Sequence, residues 1–147
     1  MTSKHDEEYA PSTAGWVRDQ VDKVTEAGTT DAVDIKGMKV VLMTMRGAKS
    51  GKIRKVPVMR VEHNGVYAAF ASLGGSPKNP VWYYNLQADP KVTLQDGDVV
   101  GEYVAREVDG AEYDEWWQRG VAAYPPYAEY QTKTTRKIPL FLLERVN

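Results

Sequence analysis

The chain has 147 residues, 42% of them apolar and 27% charged, with a net charge of −1 at pH 7. That length and composition suit one globular domain with a substantial core, and the near-zero charge gives no overall field that would draw in nucleic acid. No cysteine is present, which excludes disulfides, thiolate nucleophiles and thiolate metal sites.

The two histidines, His5 and His63, are far apart and no HExxH pair exists, so no metal centre is expected. No apolar run approaches the ~18 residues needed to span a bilayer. The first residues lack the apolar core of a signal peptide. A cytoplasmic protein is expected, with peripheral contact at the inner face of the membrane left open.

Residues 1–12 read as a polar, disordered tail, and 13–147 as one domain. Thr13 to Glu26 reads as a helix, because Trp16, Val17, Val21 and Val24 recur at near-helical spacing and Gly28 follows. Lys39 to Met45 is a short, nearly continuous apolar strand. The turn Gly47–Gly51 joins it to a strand over Lys52–Glu62. There Ile53, Lys55, Pro57 and Met59 share one face and Arg54, Val56, Val58 and Arg60 the other, with Pro57 marking an edge or bulge. Asn64-Gly65 is a hairpin turn into the strand Val66–Ala71. Ser72–Asn79 is a loop, with Asn79 expected to cap a helix whose first residue is Pro80. Strands over Lys91–Gln95 and Val99–Val108 flank Asp96-Gly97. A helix over Gly110–Ala122, a proline-broken aromatic stretch Tyr124–Tyr130 and a last strand Ile138–Val146 complete the chain. Six or so strands with few helices predict a mainly β, antiparallel small barrel with helical insertions. Neither the strand–helix alternation of a Rossmann fold nor GxGxxG is present.

Three constellations carry possible chemistry. Arg46, Lys49, Lys52, Arg54 and Lys55 crowd one hairpin, with no acidic residue between Val40 and Val61. This is either a solvated turn or an anion site to which the turn's N–H groups contribute. In the loop Ser72–Pro80, Gly74 and Gly75 permit close backbone approach, and Lys78 adds charge beside a helix N-terminus. Tyr124, Tyr127 and Tyr130 at i, i+3 and i+6 share a helical face. Each hydroxyl needs a partner if buried, so a wall for a planar ring stands beside the simpler reading of core packing. Trp82, Trp116 and Trp117 read as core. No nucleophile–base pair or paired carboxylates stand out, which suits chemistry carried by a cofactor. The residues alone lead to a small barrel for a phosphorylated, planar ligand.

Gly47-Ala-Lys-Ser-Gly-Lys-Ile-Arg54, Ser72-Leu-Gly-Gly-Ser-Pro-Lys-Asn-Pro-Val-Trp-Tyr-Tyr-Asn-Leu86, Asp89-Pro90 and Tyr124-Pro-Pro-Tyr-Ala-Glu-Tyr130 resemble the deazaflavin (F420)-dependent nitroreductase and F420H2-dependent quinone reductase family of actinobacteria. The similarity runs from about Val40 to the C-terminus and is most specific at Lys78–Leu86. It implies an FMN-binding split β-barrel fold that uses coenzyme F420. It also implies hydride transfer from F420H2 to a quinone, an enone or a nitro compound. By position, Lys49 and Arg54 match residues that hold the cofactor's phosphate and acidic tail, and Pro57, Phe70 and Ala71 match residues lining the deazaflavin. Ser72 matches a serine at the cofactor–substrate junction. Lys78, Asn79, Trp82 and Asn85 fall beside the cofactor. Tyr124, Tyr127 and Tyr130 match the substrate wall, with Ser72, Tyr127 and Tyr130 the implied catalytic groups. Met59, on the substrate side, stands where the nitroimidazole-activating member has a tyrosine, and Leu73 where it has a lysine. The resemblance therefore speaks for cofactor class before nitro substrates. Two other readings stand beside it: an FMN-dependent oxidoreductase of the same fold, and a non-catalytic module for a deazaflavin or haem-like ligand.

Overall fold

A computed structural model describes residues 9–12 and 14–146. Of the expected tail, residues 1–8 lie outside the described residues. Tyr9 to Ser12 are laid against the barrel: Tyr9 bridges Ile53, and the Ala10 N–H donates to the Ile53 carbonyl at 2.8 Å.

Seven strands form one antiparallel sheet: β1 (Val40–Arg46), β2 (Ile53–Met59), β3 (Glu62–His63), β4 (Val66–Phe70), β5 (Lys91–Asp96), β6 (Val99–Glu107) and β7 (Leu140–Arg145). Their order is β2-β1-β5-β6-β7-β4-β3. The helices are α1 (Gly15–Ala27), α2 (Val81–Ala88), α3 (Gly110–Ala123) and α4 (Pro126–Thr132). The sheet curls until β2 approaches β4, and it closes at one end only, where the Ala68 N–H donates to the Val61 carbonyl at 2.9 Å. The rest of that seam carries no β2–β4 ladder, which makes this a split barrel.

Alternation along each strand fills two cores. Val41, Met43 and Met45 of β1 join Leu94, Tyr103, Phe141 and Leu143 inside the barrel, where Trp82 and Leu86 of α2 also pack. Val40 and Leu42 face the other way with Leu140 and Leu142, under α1, α3 and α4. The unbroken apolar run of β1 thus reflects burial on both faces.

Four expectations change. The strand expected over Lys52–Glu62 breaks at Arg60-Val61, because the chain there leaves β1 and turns to β4: the Arg60 N–H still donates to Lys39, while Val61 accepts from Ala68. Trp16 does not join the apolar face of α1; it is 58% exposed, whereas Val17, Val21 and Val24 are buried. Asn79 does not cap α2. The N-cap is Pro80, and Asn79 Oδ1 instead accepts from Arg136 at 2.8 Å. The Tyr124–Tyr130 stretch is helical from Pro126, since proline at the first helical position starts a helix rather than breaking one.

Candidate active site in the barrel seam

A cavity of about 580 Å³ opens along the split seam. One wall is β2 from Arg54 to Met59, including Pro57. The facing wall comes from the Ser72–Gly74 turn, the start of α2 with Pro80, Trp82 and Asn85, and the tyrosines Tyr124, Tyr127 and Tyr130. Trp16 and the Ile35-Lys36 turn border the tyrosine end.

The basic hairpin divides. Arg54 lines the cavity, as does its neighbour Lys55, whereas Lys49 lies exposed on the turn and off the cavity wall. The turn's own amides are largely committed. The N–H of Gly47 donates to Lys52, that of Gly51 to Gly47, that of Lys52 to Ser50 Oγ and that of Ala48 to Asn85 Oδ1. An anion would therefore meet side chains here, not a cradle of free amides. Through the bond to Ala48, Asn85 ties α2 to the hairpin while bordering the cavity.

Ser72, 8% exposed, borders the cavity, and its hydroxyl makes no hydrogen bond among the described residues. Ala71 is fully buried behind it, and its carbonyl accepts from Arg136. Lys78 is exposed and outside the cavity wall, as is the half-buried Asn79. Phe70 reaches the cavity but also backs Tyr127, with the two rings stacked.

The three tyrosines differ. Tyr124 and Tyr130 share a hydroxyl–hydroxyl hydrogen bond of 2.9 Å. Burial and that bond push the Tyr124 hydroxyl up to about 12. Tyr127 is 3% exposed, and its hydroxyl has no hydrogen-bond partner among the described residues. Burial, with Tyr124 and Tyr130 nearby, raises its pKa well above the usual phenol range. Tyr124 and Tyr127 are therefore neutral at physiological pH, and Tyr127 carries an unused donor on the wall of the cavity.

A sequence profile described as F420H(2)-dependent quinone reductase matches residues 16–145. The chain belongs to the F420H(2)-dependent quinone reductase family. It is similar to the F420H(2)-dependent quinone reductase Rv1261c of Mycobacterium tuberculosis, at 32% identity over 107 residues, covering 71% of this chain and 72% of that one. Among solved structures, an F420-H2 dependent reductase (FDR-A) is 59% identical with a TM-score of 0.69, over 71% of this chain and 93% of that chain. A second, described as a domain-swapped dimer, is 55% identical with a TM-score of 0.72, over 90% of this chain and all of that one. The haem storage protein HutZ of Vibrio cholerae shares the fold at 12% identity and a TM-score of 0.58.

As a member of this quinone reductase family the protein is an oxidoreductase whose cofactor is coenzyme F420. The cavity fits that group. Its lining is predominantly apolar, as a deazaflavin ring requires, and Arg54 and Lys55 stand on the β2 side for an anionic extension. Among the described residues no helix is long and apolar enough to cross a membrane.

Sequence reasoning missed several wall residues. Val56 and Val58 border the cavity although they lie on the opposite face of β2 from Pro57 and Met59, because an edge strand beside an open seam exposes both faces. Lys36 reaches the cavity from a two-residue hairpin, with φ of 52° at Lys36 and 77° at Gly37. Lys36-Gly37 carried a weak turn signal. Arg136 carried none.

Proposed function

We propose that this protein transfers a hydride from F420H2 to a quinone, and that enones and nitro compounds are alternative acceptors in the same cavity. The observation that carries this reading is convergence. Ser72, Tyr127 and the Tyr124–Tyr130 pair border the same cavity that receives Arg54.

Reduced F420 supplies the hydride; the chain supplies position, charge and a proton path. Arg54 and Lys55 neutralise the anionic part of the cofactor, Pro57 and Val58 offer it a flat wall, and Trp82 and Asn85 close the α2 side. Met59 and the tyrosines border the acceptor. The Tyr127 hydroxyl, kept protonated by burial, donates to an acceptor oxygen as charge develops there. The Ser72 hydroxyl, also without a hydrogen-bond partner among the described residues, stands at the cofactor–acceptor junction and donates a second hydrogen bond. Lys49 and Lys78, outside the cavity wall, engage only the outer part of an acidic tail. Ala71 and Asn79 contribute through the shape of the loop.

The exposed Trp16, Leu73 and Val81 border the same cavity. They support delivery of an apolar acceptor from the inner membrane face, which co-sedimentation with anionic liposomes tests through loss of binding in Trp16→Ser.

The deciding experiment mixes protein, F420H2 and menadione without oxygen and follows reappearance of oxidised cofactor. A protein-dependent rate supports the proposal. Binding of F420H2 with no turnover across quinones, enones and nitro compounds overturns it in favour of a carrier. Purified protein holding FMN overturns the cofactor assignment.

A further inference from the structure

We propose that Arg136 is a positioning residue that clamps the Ser72–Asn79 loop against α4 and so sets the Ser72 hydroxyl relative to the Tyr127 hydroxyl; the inference rests on the quinone-reductase reading above.

Four of the five N–H donors of the Arg136 guanidinium go to one loop. Nε donates to the Ser76 carbonyl at 2.9 Å, Nη1 to the Ala71 carbonyl at 3.0 Å and to Asn79 Oδ1 at 2.8 Å, and Nη2 to the Ser72 carbonyl at 2.9 Å. The four acceptors come from both ends of the loop, Ala71 and Ser72 at its start and Ser76 and Asn79 toward its end, and one rigid fork of donors reaches them together. No carboxylate pairs with Arg136 among the described residues, so the four donors it uses all meet neutral groups and its job is geometric.

The same residue is fastened to α4 through its main chain. Gln131 of α4 donates from Nε2 to the Arg136 carbonyl at 2.7 Å, and its Oε1 accepts from the Ile138 N–H at 3.0 Å. The loop also touches α4 directly. Gly75, at φ 86°, lies so close that a Cβ there would stand 2.8 Å from the Tyr130 carbonyl oxygen. Loop, helix and the segment before β7 therefore form one joint, with Ser72 on its one side and Tyr127 and Tyr130 on its other. All three residues border the cavity. Arginine alone satisfies this joint. A lysine offers a single ammonium, which cannot span four acceptors at once.

Two variants test the assignment, Arg136→Gln and Arg136→Lys, the second in case the first folds poorly. In hydrogen exchange on the protein without cofactor, both should speed exchange in residues 72–79 and in α4 together. Faster exchange confined to the loop overturns the coupling. In turnover with menadione, kcat per folded molecule should drop about tenfold or more, with the Kd for F420H2 within about threefold, and Lys should not rescue. Ser72→Ala should lower kcat in the wild-type background and much less in Arg136→Gln, because the hydroxyl is already displaced. Unchanged kcat, or independent multiplication of the two effects, overturns the inference. A wild-type protein that never reoxidises F420H2 sinks the reductase reading instead, and the exchange experiment still judges the joint.

Discussion

The Tyr127 ring lies flat on the Phe70 ring, with centroids 4.4 Å apart and planes 8° apart. On α3, Gly120 approaches the same ring so closely that a Cβ would stand 1.9 Å from it. The position of Tyr127 is thus set by one aromatic ring resting on a residue without a side chain. Gly120→Ala should overpack this contact at a cost of about 1–3 kcal/mol. Thermal denaturation should report a lower Tm, and quinone KM should rise as Tyr127 shifts. An unchanged Tm and KM would contradict the packing argument.

Tyr127→Phe keeps the ring and removes the hydroxyl. Because that hydroxyl has no protein partner among the described residues, its loss should leave Tm unchanged or slightly raised. Turnover with menadione should fall about tenfold or more, while the Kd for F420H2 stays near the wild-type value. Fluorescence titration of the cofactor alongside steady-state kinetics separates the two.

Arg54 and Lys49 should not be equivalent. Arg54→Ala should raise the Kd for F420H2 about tenfold or more, since a charge-assisted hydrogen bond contributes about 1.5–3 kcal/mol. Lys49→Ala, on an exposed turn, should change it by about threefold at most and mainly at low salt. Isothermal titration at two ionic strengths checks both, and equal losses would place Lys49 inside the site.

Alkaline stability should carry the mark of the buried tyrosines. Burial pushes Tyr113 and Tyr124 from the ordinary 10.0 up to about 12 in the folded protein. The unfolded chain therefore loses these protons first, so stability is complete below about pH 10 and falls as pH rises toward about 12. Tyr113, which donates to the Ile138 carbonyl at 2.6 Å, offers the cleaner test. Tyr113→Phe should lower Tm at neutral pH yet flatten its decline above about pH 10.

The barrel was legible where burial leaves a periodic trace. The apolar run of β1 and the Asn64-Gly65 turn, with φ of 52° and 81°, announce themselves through local chemistry. The helix α4 was hidden by Pro125-Pro126, since the same residue that breaks a helix also begins one. Asn79 misled because a capping side chain and one that meets a distant arginine look alike in sequence. Arg136 was illegible for a deeper reason. Three of its four acceptors are backbone carbonyls, which every residue has, and its partners lie 57 to 65 positions away. The hairpin's crowd of cations pointed to the right region, but only the seam's geometry separates Arg54 and Lys55, which border the cavity, from Lys49.

Pro57 has a consequence beyond its place in the wall. The Ile53 carbonyl points outward, to Ala10, and strand alternation points the main chain of Pro57 the same way. At that place β2 has no N–H to offer. A neighbouring polypeptide seeking to zip onto the free edge finds a gap in the pattern of donors, directly over the cavity. One imino acid thus keeps the doorway from being sealed by stray β-structure while leaving it passable to molecules that need no ladder to enter.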